Sequence, residues 1–463
     1  MKKAIGIILC LIFVFSVCSC AAPEAETVPE FEEISSSGYD LGGYSILCGW
    51  TDGAGLDNDS NFGFIEGTPN SDLLLEHKKN VEQKLNCKIT LDHTANNTIL
   101  RAGVMAGDQK IDIITSGSLR MMDSIRGGYL TGLSSFIDVE NYEKWGTPNM
   151  LVSVLWEDDL YAVVPFSWPE IMYTNSAHVL AVNENLISKL SLTDPREYVE
   201  ALDWTWDRFE ECMENFTFED AGRTVYSYKG GFGRYYYINM VISNGVSFID
   251  GKNGTVSCGI LSDAGREAME RGRYIAEMYR DKANGGSDNP TGFINGEAVM
   301  YLAWTYELTR NTQYIMYQMD NVGVVPFPQG PNATPGQYSS YHQSLAYATG
   351  IPFNAKDFYT SLTVLNEMFE PFEQYKTKDD IIDMMANQIF FDRRDAELIY
   401  QVEKASQYGF FDEKLGNILE QAGTTNTPIS QLCEEQESTI AKIVETYLEP
   451  CYRGLTAVYG EQK

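Results

Sequence analysis

Aromatic and small polar residues stand close to the ends of several apolar segments of this 463-residue chain. Tryptophan and tyrosine rings can stack on the apolar face of a sugar ring, while aspartate, serine and backbone amides can hydrogen-bond its hydroxyl edge. Residues of these types are therefore chemically suited to holding a carbohydrate. The candidates are Trp50, Asp52, Ser116, Gly117, Ser118, Trp168, Tyr235, Trp304, Tyr306 and Tyr341.

The positions of these candidates along the chain matter as much as their types. Ligands of parallel α/β sheets bind outside the carboxyl ends of the strands. Most of the candidates follow a predicted strand, or stand where the chain is expected to pass from one half of the molecule to the other. Tyr235 instead opens an aromatic cluster in KGGFGRYYYINM. We therefore expect the candidates to converge on one binding site.

Each candidate also has a purely structural interpretation. Tryptophan is usually largely buried for packing reasons, and Asp52 beside Gly53 is typical of a turn. Residues 116–118 can cap a helix over LRMMDSI, and His342, next to Tyr341, suits packing better than ligand contact. Both interpretations stay open at these positions.

The segment DNDSN resembles the start of a calcium-binding loop, because Asp57, Asp59 and Asn61 alternate correctly. However, Phe62 replaces the glycine of such a loop and Thr68 replaces its bidentate glutamate. A solvated acidic turn explains the segment better. No metal or other cofactor is expected.

A secreted glycoside hydrolase is the main alternative class. Such an enzyme needs two positioned carboxylates, but 65 acidic residues make chance pairs unavoidable. The four histidines are dispersed, and the chain contains no HExxH or GxSxG motif. The sequence therefore favours a binding protein over an enzyme.

Composition narrows the partners further. A formal net charge of −31 repels phosphate backbones, so a nucleic-acid partner is excluded. The apolar content of 44% is enough for a substantial core. Six cysteines stand outside the leader, and whether they form disulfides stays open: Cys48, Cys87, Cys212, Cys258, Cys433 and Cys451.

The first twenty residues indicate export. Lys2 and Lys3 precede an apolar run over residues 4–17 that is too short to span a membrane, so residues 1–19 are predicted to be a signal peptide. Cys20 resembles the cysteine of bacterial lipoproteins that is acylated, for example with palmitate, after cleavage. An ordinary signal peptide, cut near Ala21 or Ala22, is the alternative. Residues 20–40 are predicted to form a flexible tether.

Apolar periodicity predicts strands and helices in alternation, which indicates an α/β fold with parallel strands. Strands are expected at YSILCGW, CKITLDH, KIDIITSGS, AVMYLAW, NVGVV and QSLAYATGIP. Helices are expected at residues 71–85, 98–105, 261–280 and 357–369, with a further helix beginning near residues 203–205. Residues 379–447 are predicted to be mostly helical, with breaks near Gly409 and at GTTNTP.

Several of these segments together resemble the family 1 extracellular solute-binding proteins, the maltodextrin-binding-protein-like receptors of ABC importers. The segments are KNVEQKLNCKITLD, MAGDQKIDIITSGS, YAVVPFSWPEIMYTNSAHV with DWTWDRFEECM, and GFINGEAVMYLAW with VGVVPFPQGP. Their order and spacing carry the resemblance, which spans most of residues 44–368. The segment FFDRRDAELIYQVEKASQYGFFDEKLGN matches only some lipoproteins of this kind.

The resemblance implies a type II two-lobe fold that closes on its ligand about a hinge of three crossings, near Pro165, at residues 343–345 and around Gly409. Lobe 1 is predicted to comprise residues 41–165 and about 345–408, and lobe 2 residues 166–343 and about 409–463. The resemblance also implies a monomer, lipid-anchored on the extracellular (or periplasmic) face of the cell membrane. Its partners would be a small solute, a sugar above all, and the permease subunits of an ABC importer. A peptide, a polyamine or a metal complex is the alternative solute.

Overall fold

A computed structural model describes residues 39–50, 71–92, 94–164, 177–252, 255–284, 289–309, 315–342, 347–390 and 392–460. Several predictions fall outside these residues. They concern the signal peptide, Cys20, most of the tether, Asp52, the DNDSN segment, Trp168, and the crossings at Pro165 and at residues 343–345. The side chain of Trp50 is also not described, although its backbone is.

The strands of the described residues are short and spread along the whole chain. They are β1 (Tyr44–Trp50), β2 (Cys87–Asp92), β3 (Ile113–Gly117), β4 (Leu155–Trp156), β5 (Asp159–Leu160), β6 (His178–Asn183), β7 (Phe218–Asp220), β8 (Arg223–Lys229), β9 (Ile249–Lys252), β10 (Thr255–Cys258), β11 (Ala283–Asn284), β12 (Ala298–Trp304), β13 (Val322–Val325), β14 (Tyr341–His342), β15 (Tyr347–Gly350) and β16 (Gln407–Tyr408).

Helices separate most of these strands and dominate the last hundred residues. They are α1 (Ser71–Leu85), α2 (Asn97–Ala106), α3 (Ser118–Arg126), α4 (Tyr142–Trp145), α5 (Pro148–Leu151), α6 (Glu184–Leu190), α7 (Pro195–Glu200), α8 (Trp206–Asn215), α9 (Arg234–Ser243), α10 (Asp263–Met278), α11 (Thr291–Ile294), α12 (Thr305–Thr309), α13 (Ile315–Gln318), α14 (Phe358–Met368), α15 (Lys378–Met385), α16 (Arg393–Ala405), α17 (Phe411–Thr424), α18 (Ile429–Ile443) and α19 (Glu449–Tyr459).

Local side-chain caps explain where many of these helices begin. Ser262 accepts a hydrogen bond from the Gly265 amide at the start of α10, and Asp357 accepts one from the Thr360 amide at the start of α14. Such a cap satisfies an amide that the helix itself leaves unpaired. The predicted helices over residues 261–280 and 357–369 are thereby confirmed, with ends shifted by one or two residues.

The first sheet has the strand order β15-β3-β1-β2. Strands β1, β2 and β3 run parallel, as the alternation of strand and helix predicts, while β15 joins antiparallel to β3. The sheet's inner residues are fully buried, including Ile46, Ile113 and Ile114. The carboxyl ends of its three parallel strands therefore meet at one edge.

The second sheet has the order β11-β8-β12-β6-β13, with β7 pairing on β8. Here β6 runs antiparallel to both β12 and β13, unlike the parallel strands that the alternation predicts for the first part of the chain. The chain enters β6 at the edge where β12 ends, since His178 pairs with Trp304. Because β6 starts at this edge, whereas β12 and β13 end there, β6 runs antiparallel to both.

One segment of the chain leads from the second sheet to the first. Ser340 Oγ accepts a hydrogen bond from the His178 amide at the edge of the second sheet, while Tyr347 pairs with Gly117 at the edge of the first. Tyr347 is the seventh residue after Ser340, so these points lie at most about 25 Å apart. The short parallel pair β14–β16 lies at the same crossing.

The C-terminal helices contact both halves of the molecule. Helix α17 packs on α9, α16 touches β13 and α5, and α19 packs on β4 and β5. The contact of α19 with β4 and β5 joins elements that the predicted lobe boundaries place in different lobes. Those lobe boundaries stay a prediction. None of the described helices is both long and apolar enough to cross a lipid bilayer.

Candidate functional site

Four aromatic rings meet at the edge of the second sheet where β12 ends. The ring of Trp304 lies 3.6 Å, centroid to centroid, from that of His178 and 4.7 Å from that of Tyr235, against which it packs edge-on. Tyr306 stacks at 22° on the other side, with centroids 6.3 Å apart. Such rings can present both a face and an edge to a ligand.

Three rings of this cluster, those of His178, Tyr235 and Trp304, line a cavity of about 300 Å³. The loop between β8 and α9 forms another wall, with Gly230, Gly231 and Gly233, and Glu420 of α17 also lines it. Gly230 has φ +143°, and a Cβ there would lie 2.7 Å from the Tyr228 hydroxyl oxygen. Only glycine lets the backbone pass this close to the ring.

A buried carboxylate fixes the turn that carries Trp304. Glu307, 2% exposed, accepts a hydrogen bond of 2.9 Å from the Trp304 amide. The hydroxyl of Tyr301 donates to the same carboxylate at 3.0 Å. The indole is therefore positioned by the junction of β12 and α12, which is the preorganisation that a binding site needs.

Arg234 brings a positive charge to the cavity. Its guanidinium carbon lies 4.9 Å from the Tyr235 ring centroid, and Nη2 donates to the Tyr235 hydroxyl at 3.0 Å. Burial raises the pKa of Tyr235, with a further contribution from the charge of Asp412. The phenol therefore stays protonated at neutral pH, and the cavity combines aromatic surface with polar groups.

His178 is 2% exposed, and burial lowers its pKa to about 3, with the charge of His342 as a second cause. The imidazole is neutral at physiological pH. An unfolded histidine binds its proton near pH 6.5, so the unfolded state holds more protons than the folded state between pH 6.5 and 3.

This difference predicts acid sensitivity. The wild-type free energy of unfolding should fall as the pH is lowered from about 6 to 4, because unfolding then lets His178 bind a proton. Replacing His178 by phenylalanine should make this fall smaller by about 1.4 kcal/mol per pH unit. Urea unfolding at each pH measures it. A His77→Phe variant is the control, because His77 is less deeply buried. Equal slopes in wild type and His178→Phe would contradict the prediction.

The first sheet contributes small polar groups at the corresponding edge. Ser116 and Gly117 end β3, and Ser118 begins α3, with Gly117 at the N-cap position. Ser116 Oγ accepts a hydrogen bond from Asn97 Nδ2 at 3.1 Å, and both serines are buried. Residues 116–118 are therefore both the end of a strand and the start of a helix, as the sequence predicts. Their contact with a ligand stays a prediction.

Tyr341 belongs to the crossing between the sheets. Its ring is fully buried, and its hydroxyl donates to Asp412 Oδ1 at 2.7 Å and accepts from the Asp412 amide at 2.9 Å. Its neighbour His342, also fully buried, lies 2.5 Å from Glu403 through Nε2 and Oε2. In this arrangement the contacts of Tyr341 are with the crossing rather than with the aromatic cavity.

These contacts predict a stability effect. Tyr341→Phe should lower the free energy of unfolding by about 1.5–3 kcal/mol, because the buried Asp412 carboxylate loses a donor. Tyr338→Phe is the matched control, since Tyr338 is 4% exposed and its hydroxyl has no hydrogen-bond partner among the described residues. Denaturant unfolding of both variants tests this, and equal losses would contradict it.

The structure thus brings together three of the predicted residues, Tyr235, Trp304 and Tyr306. Prediction from sequence missed His178 and Arg234. The available signal for His178 was its position at the start of the strand HVLAVN. No group of three or more His, Cys, Asp or Glu side chains is placed to hold a metal ion within the described ranges, where all six cysteines are free thiols.

Two α/β sheets with adjoining carboxyl edges, joined by short crossings, define the class of two-lobed solute-binding proteins. The sequence profile of the family described as bacterial extracellular solute-binding protein matches residues 79–363, more than half of the chain. The chain belongs to this family, as the sequence predicted. It is accordingly a binding protein and not an enzyme. No curated protein shows a significant match.

Solved structures share the fold at low sequence identity. A sugar transporter from Rhizobium etli in an open conformation matches with TM-score 0.62 and 16% identity, over 86% of this chain and 99% of that one. A cyclic α-maltosyl-1,6-maltose binding protein from Arthrobacter globiformis matches with a TM-score of 0.61 and 10% identity, over 87% of this chain and 100% of that one. A cyclo/maltodextrin-binding protein complexed with maltotetraose matches with a TM-score of 0.57 and 12% identity, over 87% of this chain and 97% of that one.

Proposed function

We propose that this protein captures a carbohydrate outside the cell and delivers it to an ABC importer. The observation that carries the proposal is the aromatic cavity at the end of β12, where Trp304 and Tyr235 meet edge-on at 75° beside polar groups. Sugar rings need both stacking surfaces and hydrogen-bond partners. The sugar ligands named for the structural neighbours support the same class of solute.

Binding would take place between the lobes. Trp304, Tyr235 and Tyr306 supply one wall, and Ser116, Gly117 and Ser118 are proposed to supply hydrogen bonds from the other. Closure about the crossings is favoured if the closed form binds the sugar more tightly than the open form does. Trp50, Asp52 and Trp168 are further proposed contacts of this site.

The delivery step needs partners outside this chain. One structural neighbour, from Listeria monocytogenes, is described as an ABC substrate-binding protein, which supports a permease as the partner here. Acylation of Cys20 after removal of the leader would hold a monomeric receptor at the outer face of the membrane. Mass spectrometry of the mature N-terminus tests this anchor, and a chain that begins at Ala21 or Ala22 would refute it.

The binding proposal is tested by calorimetric titration of the purified protein with mono- and oligosaccharides, including maltotetraose. We expect saturable binding of at least one sugar and no release of reducing ends. Hydrolysis of an oligosaccharide would overturn the receptor assignment. If peptides, polyamines or metal complexes bind and no sugar does, the assignment as a receptor stands and the proposal of a carbohydrate ligand is overturned.

A further inference from the structure

A second cavity, of about 590 Å³, lies beside the edge strand β13. It is enclosed by α7, the edge strand β13, the segment that leads to Tyr338, and the outer face of α16. Its apolar lining comes from Val199, Leu202, Val324 and Leu398. It shares no lining residue with the aromatic cavity, so a ligand here would not compete directly for that site.

The side chains that line this second cavity include more cations than carboxylates. Four cationic side chains and two carboxylates line it, in a protein with a formal net charge of −31. Both carboxylates are already paired, Glu200 with Arg394 at 2.7 Å and Glu397 with Arg393 at 2.9 Å. The lining itself thus carries more cationic than anionic side chains, while Arg196 and Lys404 are also paired with carboxylates just outside it.

One of the four cations is uncommitted. The other three cations are held in ion pairs. Arg196 pairs with Asp194 at 2.6 Å, Arg394 with Glu200 at 2.7 Å and Lys404 with Glu143 at 2.6 Å. Lys378 makes no ion pair with any described residue, and its ammonium lies 5.6 Å from the centroid of the Tyr400 ring. A charge held over an aromatic face and left without a counterion is available to an anionic ligand.

The same cavity contains an unused buried donor. Tyr338 is 4% exposed and lines the cavity, and its hydroxyl oxygen has no hydrogen-bond partner among the described residues. Burial raises the pKa of Tyr338 to about 12, so this group remains a donor at neutral pH. Buried hydroxyls are rarely left unpaired in folded proteins, because the loss of hydration is then uncompensated.

We propose that this cavity binds a small organic carboxylate with an apolar body. The carboxylate would take the charge of Lys378 and the hydrogen bond of Tyr338, while the body would cover Val199, Val324 and Leu398. This site is separate from the carbohydrate site and does not depend on it.

The proposal is tested by calorimetric titration with benzoate, phenylacetate and hexanoate, each against its neutral amide. We expect the carboxylates to bind at least tenfold more tightly than the amides. Lys378→Gln and Tyr338→Phe should each weaken carboxylate binding about tenfold, which is typical of a lost hydrogen bond to a charged group. Both variants should fold, since Lys378 is exposed and Tyr338→Phe removes one atom.

Two controls locate the site. Lys376→Gln removes an exposed lysine that pairs with Glu373 outside the cavity, and should leave carboxylate binding unchanged. Trp304→Ala should also leave it unchanged, which separates this result from that of the sugar titration. The proposal is overturned if none of the three carboxylates binds, or if Lys376→Gln weakens binding as much as Lys378→Gln.

Discussion

Replacing Trp304 by alanine is expected to weaken sugar binding about 30- to 1000-fold, the range of a central aromatic residue in a binding site. The indole contacts His178, Tyr235 and Tyr306, so its loss removes the one ring that touches all the others. Trp304→Phe should retain part of the affinity, because a smaller ring can still stack. Calorimetry with the best sugar from the titration series measures both variants.

Trp156→Ala is the matched control. Trp156 is likewise a tryptophan at a strand end, half-buried where Trp304 is buried, and it lies in the hairpin β4–β5 against α19. Loss of this indole should leave the dissociation constant for the sugar within about twofold of the wild-type value. Circular dichroism of each variant verifies folding. Binding by Trp304→Ala within threefold of wild type would remove the aromatic cavity as the sugar site.

Replacing Arg196 by methionine is expected to lower the free energy of unfolding by about 3–5 kcal/mol, the usual effect of removing one partner from a buried ion pair. Arg196 lies between four carboxylates, with the shortest contacts to Glu184 at 2.5 Å and Asp194 at 2.6 Å. Asp395, at 3.4 Å, is 0% exposed. Without the guanidinium, its charge would be buried with no counterion.

The effect should depend on pH in a defined direction. Burial raises the pKa of Asp395 to about 7, so the folded state holds more protons than the unfolded state between pH 4 and 7. This contribution to stability is present at low pH and is lost as the pH rises through that window. The deficit of Arg196→Met should therefore be smaller at pH 5 than at pH 8.

Two further variants separate charge from packing. Arg208→Met removes an arginine whose pairs with Asp203 and Glu211 are exposed, so the expected change is below about 1 kcal/mol. Arg196→Met combined with Asp395→Leu should recover most of the lost stability, because no charge is then buried alone. Urea unfolding compares the variants. A double variant as unstable as Arg196→Met would show that packing, not charge, is responsible.

Local signals explain which parts of the fold could be predicted. The strand AVMYLAW and the cap at Ser262 depend on residues that are neighbours in sequence, and both lie where the pattern predicts. The antiparallel direction of β6 has no such signal. It follows from the place where the chain enters the second sheet.

The site follows the same rule. Trp304 was predictable as an aromatic residue at a strand end and Tyr235 as part of an aromatic cluster, whereas the pairing of Trp304 with His178 depends on the register between β6 and β12. Arg196 shows the limit most clearly. In PREYVE it is typical of an exposed helix, yet its partner Asp395 stands 199 residues further along the chain. No local pattern contains that information.

The pairing of β14 with β16 also restricts how the lobes can move. Two chain segments cross here side by side, hydrogen-bonded through the Gln407 amide to the Ser340 carbonyl and the Gly409 amide to the His342 carbonyl. A bonded ribbon of this kind flexes across its plane far more easily than it shears within it. We therefore expect any opening and closing of the proposed carbohydrate site to follow a single bending axis at this pair of strands.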